Sequence, residues 1–242
     1  MSEHAATMPV PQEPVAGLGD GIVGMLSAYF DPATAAKKIA MRWFWIYPLI
    51  VICIAVTVQG IMMQPYAPGI TAHALQERGI SGDALQNQMA ISLKVQRVIV
   101  YIVPVFVALM MALSAWLISV AGSIVDVRTK FRNLYGLVTA VSMIYVLQII
   151  ATLIVLRTKS PDDVTTRQDL QPPFGLDIFL HDLPKALQGV VGFFSIFQIW
   201  MIVMLVLIYS ALTRTSKGKA FFATSPAWIV PLIFAVLGSL FS

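Results

Sequence analysis

Long apolar stretches alternate with short clusters of basic residues along this chain, and five of the stretches contain no charged side chain. Each stretch holds about 20 residues or more, which at 1.5 Å per residue lets an α-helix cross roughly 30 Å of hydrocarbon. The pattern therefore predicts an all-α integral membrane protein, a bundle of five transmembrane helices. The five stretches are Trp43–Met63, Val98–Val125, Asn133–Leu156, Ala186–Thr213 and Ala220–Ser242.

Apolar residues also recur at helical spacing before the first stretch, which predicts an amphipathic segment over residues 20–42. Within it, Asp31-Pro32 has the form of a helix N-cap followed by proline at the first helical position. The segment could be a membrane-surface helix that senses lipid or docks a partner, or a tether that seats the first span. We favour the tether, because periodicity alone does not assign a function. We therefore divide the chain into a disordered tail (1–19), this interfacial segment (20–42) and a five-helix transmembrane domain (43–242). The apolar positions are Ile22, Val23, Met25, Leu26, Tyr29 and Phe30.

Orientation follows from the basic residues in the short loops, which favour the cytoplasmic side. Three basic clusters fall on one side if all five spans cross, whereas the longer loops 64–96 and 157–185 carry mixed charge. This predicts a cytoplasmic N-terminus and a C-terminus outside, with the basic side chains at lipid headgroups. After Pro172-Pro173 in the second long loop, Leu176–Leu187 is predicted to lie along the outer interface. The clusters are Lys37, Lys38 and Arg42; Arg128, Lys130 and Arg132; and Arg214, Lys217 and Lys219.

Composition narrows the possible partners. The 242 residues are 58% hydrophobic and 12% charged, with a net charge of +4. Since the spans and their connections use nearly all of the chain, we expect one membrane domain without an attached soluble catalytic domain. The basic residues sit beside apolar spans, so anionic lipid rather than nucleic acid is the expected partner. A membrane-protein partner or a homo-oligomer is also possible.

Candidate catalytic chemistry is sparse. The cores of all five stretches lack Asp, Glu, Lys, Arg and His, the residues that usually mark reaction centres or ion paths inside a membrane. We therefore expect no enzymatic activity, no metal and no cofactor. The remaining alternative is an intramembrane enzyme whose catalytic groups come from a loop, such as His181 with Asp177 or Asp182.

Three glutamines are the notable polar residues within the spans: Gln59, Gln148 and Gln198. They could line a polar pathway, but hydrogen bonding between helices is the commoner role and is the one that we predict. In the second span a row of small residues, Ala115 and then two serines at four-residue spacing, would let another helix approach closely. That helix could belong to the same chain or to a second copy.

Several short motifs stand out along the chain: Phe30-Asp31-Pro32-Ala33, Lys37-Lys38-Ile39 with Trp43 and Trp45, residues 131–136 (FRNLYG), residues 183–187 (LPKAL), residues 193–200 (FFSIFQIW), and Lys217, Lys219, Ala220 and Trp228. Together they resemble the Yip domain family of five-span membrane proteins, over about residues 25–240. The resemblance implies the five-span fold. Eukaryotic members take part in vesicle traffic with Rab-type GTPases through a long cytosolic N-tail, whereas this short tail looks like the compact bacterial members and implies the bacterial inner membrane. Ser195-Ile196-Phe197 stands where members often have Asp-Pro-Phe or Asp-Leu-Phe.

Two functions are compatible with these features. The first is a non-enzymatic membrane scaffold or adaptor that organises partner proteins or lipid, which the uncharged spans, basic rims and amphipathic segment favour. The alternative is a small permease or an accessory subunit of an export complex, in which the three glutamines would line a path.

Overall fold

A computed structural model describes residues 14–160, 164 and 185–241, and in these residues the chain is built from α-helices. The first two helices are short and precede the membrane domain; the others form the spans and their connections. The helices are α1 (Leu18–Phe30), α2 (Pro32–Ile39), α3 (Ile46–Met63), a 3₁₀ turn (Gln64–Tyr66), α4 (Ala67–Glu77), α5 (Gly82–Ile124), α6 (Phe131–Val141), α7 (Met143–Leu156), α8 (Lys185–Phe193), α9 (Ile196–Thr213), α10 (Lys217–Thr224) and α11 (Pro226–Phe241).

The predicted all-α membrane bundle is confirmed. Within the described residues, four helical segments are long and apolar enough to cross a membrane: Ile46–Glu77, Gly82–Ile124, Phe131–Leu156 and Ile196–Thr213. A fifth crossing is available if α10 and α11 together count as one span, with a bend of 44° between them. The first and third of the four are themselves interrupted, by the 3₁₀ turn and by a break at Ser142.

The connection between the first two spans is not the loop that the charge pattern suggested. Residues 67–77 form α4, and α5 begins at Gly82 and continues for 43 residues, about 65 Å at 1.5 Å per residue. Residues 83–97 contain neither glycine nor proline and are rich in Ala, Leu, Gln and Met, which favour a helix even where the sequence is polar. The second span therefore extends beyond its apolar core.

The predicted fourth stretch, 186–213, is two helices. The first, α8, ends at Phe193. Ser195 then caps α9, because its hydroxyl oxygen accepts a hydrogen bond from the Gln198 N–H at 3.2 Å. The long apolar helix of this region starts only at Ile196, while α8 packs along α11. Most of the predicted interfacial helix Leu176–Leu187 lies outside the described residues.

The core is centred on α6, which contacts α1, α2, α3, α5 and α9. Seven of its eleven residues are buried, namely Leu134 and all six residues from Gly136 to Val141. Gly136 faces α2, because a Cβ there would lie 3.4 Å from the Ile39 side chain, at ordinary van der Waals distance. The short helix α2 thus reaches the centre of the bundle.

Candidate functional site

The two N-terminal helices form a hairpin, which we call the N-terminal hairpin (α1 and α2, residues 18–39). The predicted Asp31 cap is present: one carboxylate oxygen accepts the N–H groups of Ala33 and Thr34, at 3.2 and 3.1 Å, and Pro32 opens α2. The helices pack against each other, and the Lys38 ammonium donates to the Asp20 carboxylate at 2.6 Å. The hairpin is therefore closed at both ends.

Two hydrogen bonds tie the far end of α1 to the membrane spans. The Tyr29 hydroxyl donates to the Met143 carbonyl at 2.8 Å, and the Trp200 indole N–H donates to the Tyr29 carbonyl at 3.0 Å. Met143 lies 12 residues beyond Phe131, the first residue of the third span, or about 18 Å along the helix axis. The end of α1 thus meets this span near its midpoint.

The near end of α1 is tied to the start of the first span. The Arg42 N–H donates to the Pro14 carbonyl and the Ala16 N–H donates to the Arg42 carbonyl, both at 2.9 Å. The Tyr47 hydroxyl donates to the Ala16 carbonyl at 3.1 Å. Pro14 and Ala16, from the predicted disordered tail, therefore bond to the start of span one, and α1 begins at Leu18. Residues 1–13 lie outside the described part. The assignment of residues 20–42 to the membrane interface stays a prediction.

The amphipathic pattern of α1 places small residues inward and large ones outward. Gly21 and Gly24 are buried, and a Cβ at either would collide with the ring of Tyr47 or Phe44. Ala28 is 0% exposed, whereas Leu26 is 61% exposed and Phe30 78% exposed. Of the six apolar positions identified in the sequence, Tyr29 is buried and Met25 half-buried. The other four positions are exposed, and together with Leu18 they form a surface that we call the outer face of the hairpin. It consists of Leu18, Ile22, Val23, Leu26 and Phe30.

Two carboxylates of the hairpin hold depressed pKa values. The hydrogen bond from Lys38, supported by the Gly17 N–H, lowers the pKa of Asp20 below its ordinary value. Hydrogen bonding from Thr34 lowers the pKa of Asp31. Both groups are therefore ionised at neutral pH and stay ionised into mildly acidic conditions.

Two of the three predicted basic clusters meet at one end of the bundle. The Lys219 ammonium donates to the Val125 carbonyl at 3.3 Å, which joins the first turn of α10 to the loop after α5. The nine basic residues are exposed, apart from half-buried Lys38 and Arg132. In the third cluster, Lys38 is paired with Asp20 and the Arg42 guanidinium lies 5.3 Å from the centre of the Trp43 ring.

A cavity of about 310 Å³ opens at this same end, where α5, α6 and α9 meet. Its floor contains the buried residues Leu134 and Tyr209, and its rim contains the exposed residues Ser123 and Arg128. The small-residue row of α5 thus serves packing within the chain at Ala115, which is fully buried, and lines the cavity further along. The lining residues are Ser119, Ser123, Val127, Arg128, Thr129, Leu134 and Tyr209.

The three glutamines do not come together around this cavity. Gln198 is 4% exposed, and its side-chain carbonyl accepts a hydrogen bond from the Tyr145 hydroxyl, so α7 and α9 are joined by this pair. Gln59 and Gln148 are half-buried, and neither side chain forms a hydrogen bond with another residue of the described ranges. None of the three lines the cavity.

Sequence reasoning missed Tyr29, Tyr145 and Trp200, which carry the longest-range side-chain hydrogen bonds around the hairpin and α9. A signal was present, because a tyrosine or tryptophan in an apolar environment usually finds a partner for its polar atom. The partners themselves are two backbone carbonyls and one amide, and the sequence does not distinguish these from their neighbours.

The loop residues of the enzyme alternative, His181, Asp177 and Asp182, lie outside the described residues. Within the described ranges, no group of three or more His, Cys, Asp or Glu side chains is placed to hold a metal ion. His73 pairs with Glu77 at 3.5 Å on α4, and both side chains are exposed.

The family comparison agrees with the fold and with the motifs. The model of the Yip1 domain matches residues 26–238, from the first helix of the hairpin to the last helix. No curated protein and no solved structure matches the chain. Because the matched region covers most of the sequence and the helices form an all-α bundle able to span a membrane, this chain belongs to the Yip1 domain family of integral membrane proteins.

Proposed function

We propose that this protein is a non-enzymatic membrane scaffold or adaptor that organises partner proteins or lipid around its N-terminal hairpin. The observation that carries the proposal is the outer face of the hairpin, defined above. Its large apolar side chains stay exposed although the helix beneath them is fixed to the bundle. A contiguous exposed apolar surface is typical of a contact site for protein or lipid.

The attachment of the hairpin favours recognition of a partner over a simple tether. A flexible tether needs no contact with the middle of the third span, yet Tyr29 bonds to Met143 and Trp200 bonds to Tyr29. A surface that is held in place before binding loses less conformational entropy when a partner docks. The hairpin has this property, because both of its ends and the turn at Asp31 are hydrogen-bonded.

We further propose that the protein lies in the bacterial inner membrane with its basic end in the cytoplasm. The contact between Lys219 and the Val125 carbonyl supports this orientation, since it brings two clusters to one end, where short-loop positive charge favours the cytoplasm. The N-terminus is then cytoplasmic and the C-terminus outside.

The docking role is tested by weakening the outer face and measuring partner recovery. The parent protein should copurify from native membranes with a stoichiometric partner protein, or with a selective set of bound lipids if the protein organises lipid. The double variant Leu26→Ala/Phe30→Ala should lose that partner or those lipids. The matched control is Ile150→Ala/Ile154→Ala, which removes two exposed apolar side chains at the same spacing from α7. Equal recovery from both variants, or a bare monomer without lipid selectivity, would refute the role.

The orientation is tested by cysteine labelling from each side. With Cys53 replaced by alanine, Gly218→Cys should react with an impermeant reagent only from the cytoplasm and Ser81→Cys only from outside. Adding Lys217→Glu/Lys219→Glu should weaken or invert insertion of the last helices, because short-loop basic charge sets orientation. Unchanged labelling of Gly218→Cys in that charge-reversed variant would contradict the argument.

A further inference from the structure

We propose that the cavity between α5, α6 and α9 binds a phosphate group, supplied by the headgroup of an anionic lipid on the basic side of the membrane. The inference deepens the lipid-organising part of the proposed function and rests on that part alone. It concerns a different surface from the N-terminal hairpin, which lines no part of the cavity.

The cavity has the size and polarity of a small ligand site. Its volume of about 310 Å³ lies at the lower end of the range for ligand pockets, roughly 300–1,000 Å³. Four of the seven lining side chains carry hydroxyl groups: Ser119, Ser123, Thr129 and Tyr209. Hydroxyl groups can donate hydrogen bonds to phosphate oxygens.

The hydroxyl groups are available to different degrees. Ser123 donates to the Ser119 carbonyl at 2.9 Å, so it must rotate before it can donate to a ligand. The side-chain hydroxyls of Ser119, Thr129 and Tyr209 form no hydrogen bond with any other residue among those described. Tyr209 is almost completely buried, and its hydroxyl lies 2.7 Å from the position that a Cβ on Gly122 would occupy. Because Gly122 has no side chain, the Tyr209 hydroxyl can occupy this position on the cavity floor.

The charge around the cavity suits an anion. Arg128 lies on the rim and forms no ion pair with another described residue, and its guanidinium group can bind phosphate in a bidentate manner. The Lys219 ammonium is close by, on the Val125 carbonyl. Among the described residues, no acidic side chain lines the cavity; Asp126, in the same loop, is exposed and not part of the lining.

The backbone adds to this field. The N-terminus of α6, an eleven-residue helix, adjoins the cavity at Leu134, and no side chain among the described residues caps it. The Lys130 carbonyl accepts the N–H groups of Asn133 and Leu134, so the contribution of this helix end to anion binding is its dipole, which favours negative charge. At the C-terminus of α5, the Gly122 carbonyl accepts the N–H groups of Val125 and Val127, and the Ser123 carbonyl accepts the N–H group of Asp126.

A lipid is the favoured source of the phosphate because the rim borders the lipid-facing side of α5. Val120 and Ile124 are exposed apolar residues within one turn of Ser123. A headgroup in the cavity would leave its acyl chains beside them. Free phosphate has no acyl chain and would make no favourable contact with these apolar residues.

The test measures lipid retention by the full chain. Protein is purified from nanodiscs that contain equal phosphatidylglycerol and phosphatidylcholine, and bound lipid is counted by native mass spectrometry. We expect a retained phosphatidylglycerol, and about tenfold weaker retention in Arg128→Gln, since a hydrogen-bonded charged partner is lost. Thr129→Val should weaken retention less, and Arg128→Lys should restore part of it. The control is Arg78→Gln, which removes an exposed arginine near the end of α4.

Three outcomes would overturn the proposal. They are equal retention in Arg128→Gln and Arg78→Gln, no preference for phosphatidylglycerol, or binding of inorganic phosphate that displaces the lipid at millimolar concentration. The last would assign the cavity to free phosphate. Because Arg128 is exposed, its variants should keep the thermal unfolding profile of the parent protein. Loss of partner recovery in the hairpin variant tests the scaffold role separately, since that variant leaves the cavity intact.

Discussion

The second and third spans are similarly apolar in sequence but occupy opposite environments. In the most apolar window of α5, 11% of residues are buried within the protein, against 56% for the span formed by α6 and α7. One helix therefore faces outward along most of its length while the other forms the centre of the bundle. Hydropathy identifies both as membrane helices but carries no information about which one lies inside.

The side chains explain the difference. The α6 helix has small or compact residues where neighbours approach, such as Gly136, Thr139 and Ala140, and all three are buried. In contrast, α5 carries many exposed large apolar residues along its length, and Leu109 is 63% exposed. In lipid, helices associate mainly through close packing, because leaving the acyl chains brings no hydrophobic gain. The span with the smaller side chains at its contact positions, which contains α6, is therefore the one that other helices surround.

The largest expected effect comes from truncating a matched pair of leucines. Leu137 of α6 is 0% exposed, so Leu137→Ala leaves a cavity and should lower the free energy of unfolding by about 3 kcal/mol. Leu109→Ala, on the exposed side of α5, should change it by less than about 0.5 kcal/mol. Unfolding in mixed micelles with increasing SDS measures both. Similar losses for the two variants would mean that the two spans do not differ in burial.

A second prediction asks whether the N-terminal hairpin contributes to the burial of α6. Gly24→Ala places a Cβ against the Phe44 ring and should cost about 1–2 kcal/mol through overpacking. Hydrogen exchange should speed up in α1 and α2 and then in α6. Gly19→Ala is the control, because no atom lies within 4 Å of its added Cβ. If exchange in α6 stays unchanged when the hairpin loosens, the hairpin does not shield the third span.

A third prediction concerns the hydrogen bond to the middle of the third span. Tyr29→Phe removes the hydroxyl that donates to the Met143 carbonyl and should destabilise the protein by about 1 kcal/mol. Tyr101→Phe removes an exposed hydroxyl from α5 and should have no measurable effect. The same unfolding assay compares them, and a Tyr29→Phe variant as stable as the parent would show that this contact adds nothing to the bundle.

The smallest effect is a local response to acid. Because the pKa of Asp20 is lowered from 3.8 in the folded protein, its pairing with Lys38 stabilises the hairpin at pH values above about 3.8. This contribution is lost as the pH falls through the lower folded-state pKa. Limited proteolysis at the start of α1 by an acid-active protease should therefore accelerate below pH 4. The Asp20→Asn variant should be cleaved faster already at pH 5 and show no such acid-dependent step, whereas Asp83→Asn should behave like the parent.

Much of the fold follows from local pattern. The charge-free stretches identify the spans, and Asp31-Pro32 identifies the start of α2. The helical connection 67–97 and the break at Ser195 are less visible, since a polar helix and a serine cap resemble a loop when only hydropathy is followed. The cavity is lined by Ser119, Arg128 and Tyr209, which lie in three separate segments of the chain. No local sequence pattern relates these residues to one another.

The sequence by itself determined that this chain crosses a membrane as an α-helical bundle of the Yip1 family, because hydrocarbon forces each long uncharged segment to satisfy its backbone within a helix. Only the tertiary structure decided that α6 is central, that Gln198 bonds Tyr145, and that Tyr29 joins the hairpin to Met143. The physical reason is that lipid solvates any apolar helix equally well. Which helices touch then depends on the shapes of small residues and on the few polar atoms that need a partner.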